Sequence, residues 1–214
     1  MTTLITGANR GIGAALFDKF AASGENTIGT SRQDDSHLTL DVTNPASFAD
    51  LHAAMDGAPI DTLICNAGVM FDKFWSLEND YTPDLWAKTM AANVTGVFFT
   101  IDALLPLIRK ANAGRIAIIS SQMGSNTQSS GGSYAYRASK AAVLNLGRNL
   151  ANDLAPEGIA VGIYHPGWVQ TDMGGAEASI TVDQSVSGLF ERITALSMTT
   201  TGCFETYEGH ALPL

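Results

Sequence analysis

TLITGANRGIGAALFDKFAASG, residues 3–24, is the stretch from which the fold follows. A short apolar strand, Thr3–Thr6, runs straight into a turn with glycines at Gly7, Gly11 and Gly13, and the turn opens a helix that ends at Gly24. Glycine lets backbone approach a ligand closely, and the amides at a helix N-terminus have no intrahelical partner. A strand–glycine turn–helix unit is therefore suited to seat a pyrophosphate. Glycines crowd plain turns too; the strand before and the helix after favour the dinucleotide reading. Asn9, Arg10 and Ile12 complete the loop and count with the three glycines as binding residues.

Working outward, Thr27–Ser31 is the second strand, whose end selects between coenzymes. An acidic residue there would accept a ribose 2′-hydroxyl, but the chain has Ser31 followed by Arg32, with Arg10 nearby in the glycine loop. Two guanidinium groups suit a 2′-phosphate, so NADP(H) is favoured and NAD(H) is the alternative. Asp34 and Asp35 weigh against the phosphate. Only about six residues then lead to the third strand, Leu38–Leu40, too few for a crossover helix, which predicts a bare loop. Asp41 or Thr43 would cap the helix from Pro45 to Met55. A fourth strand, Asp61–Cys65, exits through the small residues Asn66, Ala67 and Gly68. The segment Val69–Tyr81 is irregular and aromatic. Pro83 starts a helix expected to run to about Ala111, across Asn93, which taken alone reads as a satisfied core amide.

The fifth strand, Arg115–Ser120, delivers Ser121 to the ligand-binding end of the sheet, with Ser120 as its rival. The helix Ser133–Leu154 carries an apolar stripe at Ala138, Ala142, Leu146, Leu150 and Leu154. Tyr136 and Lys140, four apart, project from the same side of adjacent turns, and a nearby ammonium should lower a phenol's pKa. Tyr134 has only Ala138 in that place. The sixth strand, Ile159–Tyr164, leads into HPGWVQTDMGG (165–175), where His165 reads as structural and the glycines as a mobile lid. A last helix, Thr181–Leu196, and a seventh strand within TGCFETYEGHALPL finish the chain.

With 214 residues, one domain spanning 1–214 is expected. The net charge of −9 and pI near 4.7 argue against nucleic acid or an anionic membrane as partners. No apolar run approaches the roughly 18 residues of a membrane helix. Cys65 and Cys203 read as buried thiols of a reducing compartment, so a cytoplasmic location is expected; no metal is.

The order TGANRGIG, NAG, a helical Asn, Ser121, YxxxK and PG…T resembles the short-chain dehydrogenase/reductase family, not its longer branch of sugar epimerases. HPGWVQTDMGG and the terminal TG-x-F…EG-x-x-LP look most like the C-factor and sniffer-type carbonyl reductases. The resemblance implies a doubly wound (Rossmann) parallel sheet of about seven strands with helices on both faces, as the alternating βα pattern does independently. It implies catalytic roles for Asn93, Ser121, Tyr136 and Lys140, with Asn93 holding a relay water. Asp41 and Val42 would border the adenine, Asn66, Ala67 and Gly68 the cofactor backbone, and Tyr136 and Lys140 the ribose. Pro166, Gly167, Val169 and Thr171 would surround the nicotinamide. The implied reaction is reversible hydride transfer between NADP(H) and a small carbonyl or alcohol. Met70, Phe71, Trp75, Met123, Trp168 and Met173 would line its apolar pocket or else belong to the core. A homodimer or homotetramer is the implied assembly, and a nucleotide-binding signalling protein with vestigial chemistry is the alternative function.

Overall fold

The computed structural model describes residues 1–32 and 37–214. The bare loop expected after Arg32, with Asp34 and Asp35, falls on 33–36, outside the described residues. Seven strands form the sheet: β1 (Thr2–Thr6), β2 (Asn26–Ser31), β3 (Leu38–Thr39), β4 (Thr62–Cys65), β5 (Arg115–Ile119), β6 (Ala160–His165) and β7 (Phe204–Thr206). All pair in parallel, in the order β3-β2-β1-β4-β5-β6-β7. The helices are α1 (Gly11–Ala22), α2 (Pro45–Ala54), α3 (Pro83–Met90), α4 (Gly96–Ile108), α5 (Tyr134–Leu154) and α6 (Val182–Ala195).

Successive strand side chains point to opposite faces. Leu4, Leu63, Ile116 and Ile118 therefore pack with Leu51 of α2, Leu104 of α4 and Val143 of α5. Ile5, Ile64, Ala117 and Ile119 pack with Leu16 and Phe20 of α1 and Leu189 and Ile193 of α6. Covered on both faces, the central strands read as unbroken apolar runs rather than alternating ones. Each buried aliphatic side chain contributes about 1.5–3 kcal/mol, so the two layers fix the sheet firmly beneath whatever its ends carry.

The chain travels outward from β1 to β3, then returns past β1 to β4. Strand order thus reverses between β1 and β4, and the crevice at their carboxyl ends is the natural ligand site. Asn66 braces it, its Nδ2 donating to Thr6 O at 3.0 Å and Gly7 O at 3.1 Å.

Three expectations need correction. Helix α2 is capped by neither Asp41 nor Thr43: Asn44, directly before Pro45, accepts the Ala46 amide at 3.1 Å. The helix from Pro83 is not continuous to Ala111. A π-helical turn at Ala91–Thr95 separates α3 from α4, which stops at Ile108. The widened turn coincides with Asn93, whose amide reaches sideways out of the helix; such turns cluster at functional sites. Finally, Pro83–Ile108 is long and apolar enough to cross a membrane, contrary to the reading of the sequence. Its apolarity is accounted for by packing, since Val97, Ile101, Leu104, Leu107 and Ile108 lie in the core.

Candidate active site

A cavity of about 640 Å³ opens at the switch point. Its walls include Gly7, Asn9, Arg10, Gly11, Ile12, Gly13, Ser31, Arg32, Asp41, Val42, Asn66, Ala67, Gly68, Tyr136, Lys140, Pro166 and Thr171, all singled out in the sequence. The glycine turn is sterically committed. A Cβ on Gly13 would stand 2.0 Å from Gly7 O, and Gly7 and Gly11 take φ of +67° and +55°. Helix α1 starts with no side-chain cap and no acidic residue in its first turn. Its leading amides and positive dipole end are left to meet an anion, which fits a dinucleotide pyrophosphate.

At the outer end of the cavity, charges are exposed. Asp41 Oδ1 accepts the Thr43 amide at 2.9 Å and its hydroxyl at 2.7 Å. The amide above all, then the hydroxyl and Arg32, hold this carboxyl below the usual carboxylate range, against the opposing effect of burial. Arg10 Nη1 meets Asp172 Oδ2 at 2.7 Å, both side chains being well exposed. The loop following Pro166 is thereby tied to the glycine turn, an ion pair that the sequence reading did not anticipate.

At the inner end, the groups are buried. Tyr136, Lys140, Ser121 and Asn93 are all under 9% exposed. Lys140 Nζ donates to Ile119 O at 3.0 Å and stands 5.5 Å from the centre of the Tyr136 ring. Burial pushes the Tyr136 phenol up to about 12 and the Lys140 ammonium down to about 8. The expectation that Lys140 lowers the phenol's pKa is therefore overturned: desolvation dominates, the Asp72 carboxylate adds to it, and the Ser121 hydroxyl opposes both. At neutral pH the tyrosine keeps its proton and the lysine its charge.

Ser121 and Ser120 part company. Ser121 Oγ accepts the Met123 amide at 3.1 Å and acts on Tyr136, whereas Ser120 Oγ donates to Lys140 O at 3.3 Å. The Asn93 side chain makes three hydrogen bonds. Its Oδ1 accepts the Val69 amide at 2.8 Å, while Nδ2 donates to Val69 O at 2.8 Å and Ser139 Oγ at 3.0 Å. Ser121, Asn93, Gly167 and Val169 are not among the residues that line this cavity. Gly167 takes φ +88°, and Val169 pairs with Ile180 and accepts the Thr171 hydroxyl at 3.3 Å. His165 is buried and held neutral, its pKa pushed down to about 4 by desolvation.

Of the apolar residues assigned to pocket or core, Phe71, Trp168 and Met173 are 48%, 44% and 39% exposed. They are not core. Lys73 Nζ and Trp168 Nε1 both donate to Gly174 O, at 2.7 and 2.9 Å, which joins the 69–81 segment to the loop after Pro166. Cys65 is buried as expected, but Cys203 is only partly so. Sequence reasoning missed Asp72, Lys73, Ser139 and Asp172. For Asp72 a faint signal existed, because α5 follows Gly131-Gly132-Ser133 with no acid in its first turn and needs acceptors from elsewhere.

A switch-point crevice that joins a phosphate-seating turn to a buried Tyr–Lys pair defines a dinucleotide-binding oxidoreductase. The family model described as short chain dehydrogenase matches residues 1–180, and the chain belongs to that family. It is 40% identical over 156 residues to the C-signal of Myxococcus xanthus, across 72% of this chain and 93% of that protein. The NADPH-bound carbonyl reductase from chicken fatty liver superposes with a TM-score of 0.89 at 28% identity, covering 100% of this chain and 98% of that one. The carbonyl reductase Sniffer of D. melanogaster gives 0.88 at 27%, covering 100% and 99%. Both branches of the sequence resemblance, C-factor and sniffer-type, are thus present among its relatives.

Proposed function

We propose that the protein is an NADP(H)-dependent reductase acting on a small apolar carbonyl, reversibly with the alcohol. The observation that carries this is the pairing of a proton-holding Tyr136 with Lys140 at the buried end of a cleft whose open end bears Arg10 and Arg32. The glycine turn and the α1 amides would hold the pyrophosphate, Asp41 and Val42 the adenine, and Lys140 with Thr171 the nicotinamide half. The cofactor, when bound, supplies the hydride.

The chain's own residues manage the proton and the charge. Tyr136 gives its phenolic proton to the carbonyl oxygen as that oxygen gains negative charge, a role worth about 10²–10⁴-fold. Ser121 donates a hydrogen bond to the same oxygen. Lys140, fixed by Ile119 O, stabilises the phenolate left behind. Asn93 serves as a strut between Val69 and Ser139, and the second lone pair of its Oδ1 is left to hold a relay water.

Arg10 and Arg32 support NADP(H) over NAD(H), as does the NADPH-bound chicken relative. Phe71, Trp168 and Met173 offer apolar surface near the cleft, which supports an aliphatic or aromatic ketone, aldehyde or quinone. The exposed Phe98 and Phe99 of α4 support a self-associating assembly. The C-signal relative supports a second reading, a signalling protein that binds the coenzyme without turnover. NADPH oxidation over a carbonyl panel, with Tyr136→Phe as control, separates the two. The reductase reading requires turnover that the variant loses while still binding NADPH; binding with no turnover on any carbonyl leaves the signalling reading.

A further inference from the structure

Asp72 lies where the irregular 69–81 segment passes the first turn of α5, and it is fully buried. Its Oδ2 accepts the amides of Ala135 at 2.8 Å and Tyr136 at 3.3 Å. Helix α5 needs such an acceptor, since Ser133 enters it at φ +46° and supplies no cap of its own. The same segment takes up the neighbouring amides: Ser133 N–H donates to Trp75 O at 2.9 Å and Tyr134 N–H to Tyr81 Oη at 3.3 Å. Capping alone does not call for a charge, because serine and asparagine cap as well as aspartate. Yet here is a carboxylate that also faces the Tyr81 phenol and whose second oxygen, Oδ1, is buried without a hydrogen bond of good geometry among the described residues. Such an unshared acceptor is costly to bury.

We infer that Asp72 is a positioning residue for proton transfer: its carboxylate clamps the amides leading into Tyr136 and, as a fixed negative charge, opposes a second negative charge on that phenol. The inference rests on the reading of Tyr136 as proton donor. It gives that reading a direction, since a phenol kept protonated serves reduction and a phenolate serves oxidation. The other groups around the ring do not duplicate the effect. Lys140, on the same helix, is a cation; Tyr134, two residues before, packs edge-to-face on Tyr81, and Asp72 faces the Tyr81 phenol too and helps to raise its pKa behind desolvation. Lys73 is turned to Gly174 O and Asp172 to Arg10. The end of β5 contributes the hydroxyls of Ser120 and Ser121, and the π-helical turn the amide of Asn93.

The test replaces Asp72→Asn, which keeps an acceptor oxygen and removes the charge, with Asp72→Ser as a second neutral acceptor. The phenol is followed directly by NMR of carbon-labelled tyrosine, its resonance assigned by loss in Tyr136→Phe. The pH profile of kcat for NADPH-dependent carbonyl reduction is measured beside it. The Tyr136 titration should fall by about one pH unit in a folded neutral variant, with the basic limb of reduction following it. An unmoved titration overturns the inference, whether or not the enzyme turns over. A shifted titration in a protein that reduces no carbonyl upholds Asp72 and removes the reductase reading instead. If neither neutral variant folds, the carboxylate is structural and the inference falls.

Discussion

The two ends of the cleft use charge in opposite ways. At the outer end, Arg10 and Asp172 pair at 2.7 Å with their side chains 63% and 78% exposed. Water screens such a pair, and its worth is generally below about 1 kcal/mol. At the inner end, Lys140 and Asp72 are buried, with no opposite charge bonded to either among the described residues. There each charge is felt by its neighbours at low dielectric. The outer end can thus trade partners at little cost, as coenzyme exchange demands, while the inner end holds one protonation pattern.

Four variants break or sharpen that contrast. Tyr136→Phe should have the largest effect: a loss of about 10²–10⁴-fold in kcat, with NADPH affinity by fluorescence titration nearly unchanged. Equal loss of binding would mean that the ring holds cofactor rather than moving a proton.

Lys140→Met should divide activity from stability. Turnover should fall by about 10²-fold, yet the thermal midpoint should rise, because the native ammonium is desolvated. A pKa depressed from 10.5 to about 8 corresponds to a gain on the order of 3 kcal/mol at pH 7 for the variant. The sign follows from proton counting: between about pH 8 and 10.5 the unfolded chain binds the lysine proton and the native chain does not. Wild-type stability therefore climbs through that window, and the variant's advantage should fade there in a denaturation series. A variant less stable at pH 7 would show that the Ile119 hydrogen bond outweighs the burial.

At the outer end, Arg10→Ala with Arg32→Ala should weaken NADPH about tenfold and NADH hardly at all, since each lost charge-assisted hydrogen bond is worth roughly 1.5–3 kcal/mol before solvent screening. Parallel losses for both coenzymes would place the 2′-phosphate elsewhere. Asp172→Asn should have the smallest effect, about twofold tighter NADPH binding that vanishes in high salt. A large or salt-insensitive change would mean that the loop itself, and not the freed Arg10, governs coenzyme affinity.

Much of this was legible in the chain. Gly7, Gly11 and Gly13 follow a strand and open a helix; local rules alone bring backbone to a phosphate there. Tyr136 and Lys140 are four apart on one helix, so their proximity needs no knowledge of the fold. Asn44, by contrast, was passed over as a cap in favour of Asp41 and Thr43, though it stood at the position directly before Pro45. The π-helical turn at Ala91–Thr95 was not legible, because nothing in AANVT marks an extra residue in a turn. Its partner groups, Val69 and Ser139, lie 24 and 46 residues away.

The sequence by itself determined the sheet, the glycine turn and the choice of candidate side chains, because these rest on period, spacing and short-range backbone chemistry. Only the tertiary structure decided their protonation. The lysine beside Tyr136 argued for an easily ionised phenol. Enclosure of the ring, together with a carboxylate contributed from 64 residues earlier, holds the proton in place, since desolvation and long-range charge depend on what the folded chain brings around a group and not on its neighbours in sequence.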